Sequence, residues 1–273
     1  MVDPRVGTDV ADFDRLVNDA VHQPRDGWDL GYLQGRLIEQ PLSWDYRQLV
    51  IEHMGESQAM MDHCTGGGEW LATLPGFPTT TFATEHHEPN YILARARLEG
   101  RGIRVRQVDP GVENPYGPGP SPDGSHPERR LNFANGQFDL VVCRHASYCA
   151  TEIARVLRPG GRFVTEQIGT SNHPALDAHL KGPRFVWNPI AGAPPPTHES
   201  ADLEVIDHRD EKPTAVWRDI GAVVYYLHKV PWRIMDFSVE RYRDQLWVLY
   251  NVMKANGGLA THYHRTLTIA VRR

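Results

Sequence analysis

The chain has little cysteine and no long apolar run. Three cysteines in 273 residues, Cys64, Cys143 and Cys149, form no spaced disulfide framework and point to a reducing compartment. No run of about 18 apolar residues is present to span a bilayer, so no membrane partner is expected. The opening residues, MVDPRVGTDVADFD, are acidic and lack the charged-then-apolar layout of a secretory signal, which makes a cytoplasmic location the expectation. Positive charge is short as well. Lys plus Arg (29) against Asp plus Glu (34) leaves a net charge of -5, so no overall field draws the molecule to phosphate backbones, and nucleic acid is a disfavoured partner. C-x-x-C and H-E-x-x-H spacings are missing. Of the fourteen histidines, His86-His87, His126, and His262 with His264 are the ones to weigh as ligands, and with no cysteine or carboxylate motif beside them no metal is expected.

What is abundant is glycine (24) and proline (21). Six prolines and four glycines crowd into positions 110–130, PGVENPYGPGPSPDGSHPERR, a composition that holds neither helix nor strand ladder and reads as a surface loop or lid. Around it the hydrophobic pattern is regular. Asp9 to Ala20 and Asp45 to Met54 carry apolar residues at helical spacing, so residues 1–58 read as a helical N-terminal extension, a cap or lid. AMMDHC ends in the glycine cluster TGGG, with helix-compatible EWLATLP after it. TTTFATE reads as a strand, Pro89 to Glu99 as a helix and IRVRQVD as a strand. FDLVVCRH reads as a buried strand, ATEIARVLRPGG as a helix stopped by Pro159 and Gly160, and RFVTEQIG as another buried strand.

Strands alternating with helices predict an α/β fold with a doubly wound, mostly parallel sheet over residues 59–273. Beyond Gly169 the rhythm changes. ADLEVID is a strand candidate, and IGAVVYYLHKV and VERYRDQLWVLYNVMKANGG are helix candidates within a substrate-side region, 171–258. THYHRTLTIAVRR reads as a final antiparallel strand at the sheet edge.

The segment that carries chemistry is Asp62 to Gly68, DHCTGGG, between a strand and a helix-compatible stretch. Glycines there let backbone N–H groups face a ligand with no Cβ in the way. A ligand-free turn explains such a cluster equally well, but Glu85 at the end of the next strand is placed to accept from two ribose hydroxyls. The dinucleotide fingerprint would need glycine at position 71, which is Leu71, so a nicotinamide oxidoreductase loses ground.

On these residues the sequence resembles the class I S-adenosylmethionine-dependent methyltransferases. Asp62, Gly66 and Gly68 match the family's D-x-G-x-G-x-G, with Cys64 in place of the first glycine. LNFANGQFDLVVCRH is similar to its L-P-F-x-D-x-S-F-D-L-V segment, and EIARVLRPGGRFV to its helix, turn and strand. The flanks PLSWDY and AVWRDIGAVVYYLHKVPW resemble those of an uncharacterised bacterial branch.

The resemblance implies a Rossmann-like methyltransferase fold and S-adenosyl-L-methionine as cofactor. It implies that Thr65, Gly66 and Gly68, with Cys64 at the usual glycine position, line the methionine portion, that Asp62 anchors this loop, that Glu85 holds the ribose, and that Asp109 meets the adenine amino group.

Open α/β sheets bind ligands outside the carboxyl ends of their strands. Those ends carry Arg144, His145 and Tyr148 after the fourth strand and Glu166 and Gln167 at the fifth. His145 titrates near neutrality and is the candidate base or acceptor-orienting group; a structural hydrogen bond to a neighbouring loop is the alternative. Arg144 is a candidate for binding a carboxylate of acceptor or cofactor, with a structural ion pair as the alternative. Trp28, Trp44, Tyr46, Trp217, Tyr225 and Trp232 lie outside the motifs and serve an aromatic acceptor pocket, stacking on the sulfonium as a cation, or, more often, packing.

The expected function is methyl transfer to an oxygen or nitrogen nucleophile of a small molecule, such as a secondary metabolite, with a homodimer left open. Two alternatives remain. One is an RNA base methyltransferase, since Y-C-A-T before E-I-A-R-V-L-R-P-G-G resembles a unit of a bacterial ribosomal RNA guanine methyltransferase. The other is a cofactor-binding protein repurposed for non-methyl chemistry.

Overall fold

The computed structural model describes residues 4–24, 27–108, 131–183, 198 and 201–273. Its centre is a seven-stranded sheet. Strands β2 (Ala59–His63), β3 (Thr80–Glu85), β4 (Arg104–Gln107), β5 (Phe138–Arg144), β6 (Leu157–Ile168), β7 (Leu203–Glu211) and β10 (Arg265–Arg272) line up in the order β4-β3-β2-β5-β6-β10-β7. The pairs from β4 to β6 are parallel, and β10 runs antiparallel to both β6 and β7. The C-terminal strand therefore enters the sheet against its direction, with β7 outside it.

Successive strand residues face opposite sides, and the core divides accordingly. Met60, Ala83, Val142, Val164 and Leu267 pack on one face with α2 (Tyr46–Gly55) and α3 (Glu88–Leu98). Met61, Phe82, Val141, Phe163 and Ala270 pack on the other with α4 (Ala150–Val156). A third cluster unites α1 (Pro4–Val21), α5 (Pro174–Leu180), α6 (Ile220–Lys229) and α7 (Arg243–Asn256) around Trp217. Local chemistry sets the helix ends. Asp45 accepts from Gln48 N at 3.1 Å and Asp219 from Ala222 N at 2.9 Å as N-caps, and Gly257 closes α7 at φ 70°.

Several expectations need correction. After the glycine loop, EWLATLP forms only a 3-10 turn, Leu71–Thr73; the stretch is too short to nucleate an α-helix before Pro75, Gly76 and Pro78. The helix before R-P-G-G ends at Val156, and Leu157 already belongs to β6. R-P-G-G is a bulge: Phe138 faces Leu157, Leu140 faces Arg162, and Gly160 takes φ 76°.

The stretch 1–58 is not wholly helical, because β1 (Leu37–Glu39) joins β8 (Thr214–Trp217) and β9 (Leu259–His262) in a second, three-stranded sheet. THYHRTLTIAVRR accordingly spans the end of β9 and all of β10. The loop 110–130 and the Pro/Gly cluster at 192–196 lie outside the described residues. No described helix is long and apolar enough to cross a membrane.

Candidate active site

The strand order reverses between β2 and β5, the switch point beyond whose carboxyl ends open α/β sheets form their ligand crevice. On one side lies the glycine loop. Cys64, Gly66 and Gly68 adopt φ of 62°, 62° and 76°, a left-handed conformation that glycine adopts freely and cysteine adopts at a cost. Cys64 N donates to Thr84 Oγ1 at 3.2 Å, Thr65 N to Thr84 O at 2.8 Å, and the Cys64 thiol to Ser147 O at 3.6 Å. The last contact joins the loops after β2 and β5 across the crevice.

A side chain at Gly66 would meet Trp28 Cδ1 at 2.6 Å, and one at Gly68 would meet Leu98 Cδ1 at 2.8 Å. Arg97 clamps the loop from behind through Gly67 O and Glu69.

Two carboxylates support this side. Asp62 is buried, and burial with the Glu85 charge nearby pushes its carboxyl up to about 7. Glu85 is buried at the end of β3, and its Oε1 accepts from His86 N at 3.0 Å and His87 N at 2.8 Å. β3 ends at Glu85, so the two histidines open α3 rather than extend a strand.

Opposite the glycine loop stands a charged cluster on β5 and β6. Glu166 accepts from Trp44 Nε1 at 2.9 Å and from Arg144 Nε at 3.3 Å, and its Oε1 lies 3.2 Å from His145 Nε2. Burial alone would raise Glu166, yet His145, Arg144 and Trp44 together hold it down at about 2. His145 is pushed the other way, to about 4, by burial, with Arg144 and Arg265 adding to it against the pull of Glu166. The ring is neutral at neutral pH. His145 sits at φ 56° and its side chain keeps 24% of its surface accessible, so a strained backbone holds a reachable imidazole.

Tyr148 is placed differently from its neighbours. Its hydroxyl pairs with His198 Nε2 at 2.7 Å and its ring packs edge-on against Phe163. Asp109 lies outside the described residues.

The cluster extends through residues that, Tyr46 apart, sequence reasoning missed. Segment 39–46 crosses the carboxyl ends of the strands. Glu39 comes within 4.0 Å of Arg265 Nη2, Gln40 O accepts from Tyr263 Oη, Ser43 N bonds Glu211 at 3.1 Å, and Tyr46 Oη bonds Val164 O at 3.1 Å. Burial raises Glu39 above its usual range, partly offset by Arg265 and Arg144.

Beyond Arg265, Asn172 Oδ1 accepts from Arg265 Nη1 at 2.9 Å, while Arg233 Nη2 donates to Asn172 O, His173 O and Asp177. The only sequence signal for this layer was the P-L-S-W-D-Y flank. His262 pairs with Ser171 and His264 with Asp210, and the described residues contain no group of three or more His, Cys, Asp or Glu able to hold a metal.

No protein-family profile matches the sequence, and no curated protein is similar to it. Solved structures do match. A methyltransferase candidate from Bacillus halodurans superposes with a TM-score of 0.53 at 16% identity, over 84% of this chain and 98% of that one. The YcgJ protein of Bacillus subtilis gives 0.52 at 14% identity, over 84% and 98%. A protein of unknown function from Deinococcus radiodurans gives 0.51 at 13%, over 87% and 91%. The chain has the class I methyltransferase fold.

The glycine loop follows β2 and Glu85 ends the adjacent β3, the two places to which the sequence resemblance assigns S-adenosylmethionine. The residues present fit such a group. Positions 64, 66 and 68 are left-handed, and a Cβ on Gly66, Gly67 or Gly68 would run into Trp28, Glu69 or Leu98, so glycine alone keeps this stretch of backbone bare for a ligand.

Proposed function

We propose that the protein transfers a methyl group from S-adenosyl-L-methionine to an oxygen or nitrogen nucleophile of a small molecule. The observation that carries this reading is the facing of two sites across one switch point. A glycine loop backed by two buried carboxylates stands on one side, and an Arg144–His145–Glu166 cluster on the other.

When bound, S-adenosylmethionine supplies a methyl group already activated on a sulfonium. The backbone of Cys64, Thr65, Gly66 and Gly68 holds its methionine portion, with Asp62 anchoring the loop, Glu85 on the ribose hydroxyls and Asp109 on the adenine. On the acceptor side, ionised Glu166 orients the neutral imidazole by accepting a hydrogen bond from its Nε2–H, which leaves His145 Nδ1 as the proton-accepting atom. Burial keeps this ring well below the neutral titration expected of it, so it is a weak base that takes up a proton made acidic as the nucleophile donates its electron pair to the methyl group.

Arg144 lies 5.7 Å from the Trp70 ring and is positioned for an acceptor or cofactor carboxylate. Tyr148, tied to His198, shapes the wall of the site. The net charge of -5 favours a small acceptor over a nucleic acid.

Calorimetric titration of the purified chain with S-adenosylmethionine, S-adenosylhomocysteine and NADH tests the reading. Micromolar binding of the first two and none of the third is expected. Absence of binding by both adenosyl compounds overturns it, and salt-dependent binding to bulk RNA in their presence would redirect it to an RNA acceptor.

A further inference from the structure

Two tryptophans stand open beside the glycine loop, and nothing in the methyltransferase motifs accounts for them. Trp28 is 39% exposed and Trp232 52% exposed, far above what large aromatic rings keep when they serve only as packing. Their ring centroids are 5.8 Å apart at an interplanar angle of 59°, so the two indoles form an angled pair of walls. One of them touches the loop. Trp28 Cδ1 lies 2.6 Å from the point where a Cβ on Gly66 would stand, which puts the indole directly on the bare face of that glycine.

Both walls are fixed to α6. Lys229 Nζ donates to Gly27 O at 3.1 Å and Tyr225 Oη to Asp29 O at 2.7 Å, bracketing Trp28. Trp232 follows the end of the same helix in a turn closed by Arg233 N on Val230 O at 2.9 Å. The Lys229 ammonium is buried at the Gly27 carbonyl and over the Tyr225 ring at 5.7 Å.

An indole face attracts a cation more strongly than any other side-chain ring, and an exposed pair is a pre-built receptor for one. The methionine end of the donor carries a sulfonium that its demethylated product lacks. We propose that Trp28 and Trp232 form an aromatic clasp over Gly66 that reads the sulfonium charge, so that the protein binds S-adenosylmethionine more tightly than S-adenosylhomocysteine. The clasp rests on the reading of the glycine loop as the donor site. It adds to that reading a charge-sensing role for residues outside the family's motifs, and it gives a physical reason for product to leave after transfer.

The test is calorimetric Kd measurement for S-adenosylmethionine, S-adenosylhomocysteine and sinefungin, whose amine restores a positive charge at the sulfonium position. Proteins compared are the wild type and the variants Trp28→Phe, Trp28→Ala and Trp232→Ala, each with its melting curve recorded. Wild type is expected to favour the two charged ligands over S-adenosylhomocysteine. Trp28→Ala should weaken both charged ligands about tenfold and the neutral product far less, as a cation–π contact of ordinary strength requires, and Trp28→Phe should restore most of the discrimination. Ligand-induced quenching of tryptophan emission should shrink in Trp28→Phe.

Equal weakening of all three ligands in Trp28→Ala, or no change in any variant that melts like wild type, overturns the clasp while leaving the donor site standing. Failure of wild type to bind any of the three removes the donor site itself.

Discussion

The indole Nε1 of Trp44 donates to Glu166 Oε2 at 2.9 Å across 122 residues of chain. This one bond ties the segment between the two sheets to the carboxylate that also meets Arg144 and His145. Glu166 is buried and charged, so a lost donor leaves part of that charge uncompensated.

Trp44→Phe preserves most of the ring's volume and removes the donor. We expect a loss of about 1–3 kcal/mol in urea unfolding, with affinity for S-adenosylhomocysteine unchanged within twofold. A variant as stable as wild type would show that the bond contributes nothing net.

Acid should destabilise the protein earlier than its carboxylates alone would. His145 is held at about 4 and His173 at about 3, both by burial, against 6.5 for exposed imidazole. Between these values the unfolded chain binds more protons than the folded one, so stability falls as pH drops below about 6.5. Glu166, held at about 2 against 4.5, adds a further loss below about pH 4.5. For His145 the effect is up to about 3 kcal/mol. Urea midpoints measured from pH 7.5 to 4.5 should fall for wild type and fall less for His145→Asn and His173→Asn.

Asp62 behaves in the opposite sense. Its carboxyl is raised to about 7 from 3.8, so the folded state holds the proton more tightly and stability declines as pH rises from about 3.8 through 7. Asp62→Asn should gain stability relative to wild type by roughly 2–4 kcal/mol between pH 4 and pH 8, while its binding of S-adenosylmethionine weakens because the loop anchor is altered. A difference between the two proteins that does not vary with pH would count against the raised value.

Cys64 stands at φ 62°, where an L-residue costs about 1–2 kcal/mol. Cys64→Gly relieves that cost and loses the thiol contact with Ser147 O. The expected balance is a stability within about 1 kcal/mol of wild type with donor binding retained or improved, whereas Gly66→Ala, driven against Trp28, should lose binding by at least tenfold. Calorimetry on the two variants separates these outcomes.

Much of the site was legible because its elements are local. DHCTGGG, Glu85 at a strand end, and Arg144-His145 after F-D-L-V-V-C each sit within a few residues of the strand that presents them. The three-residue β1 and the four-residue β8 went unread, since short strands carry too few alternations to declare a period. Nor did the sequence separate Tyr148 from His145, although the structure turns Tyr148 towards His198 and His145 towards Glu166. His145 takes a left-handed backbone conformation while its N–H extends the ladder to Glu166 O at 2.8 Å, and neither feature leaves a mark in the sequence.

By itself the sequence determined the order and type of the main strands and helices and the place of the glycine loop. It did so because burial on one or both faces leaves a period in the residues themselves. Only the tertiary structure decided that β10 enters between β6 and β7, bringing Arg265 within 4.0 Å of Glu39, that Trp44 reaches Glu166, and that Trp28 covers Gly66. Periodicity records which face of an element is buried and says nothing of its partner. Partners are chosen by sheet order and by shape complementarity between segments far apart in the chain, as Lys229 and Gly27 are at 202 residues.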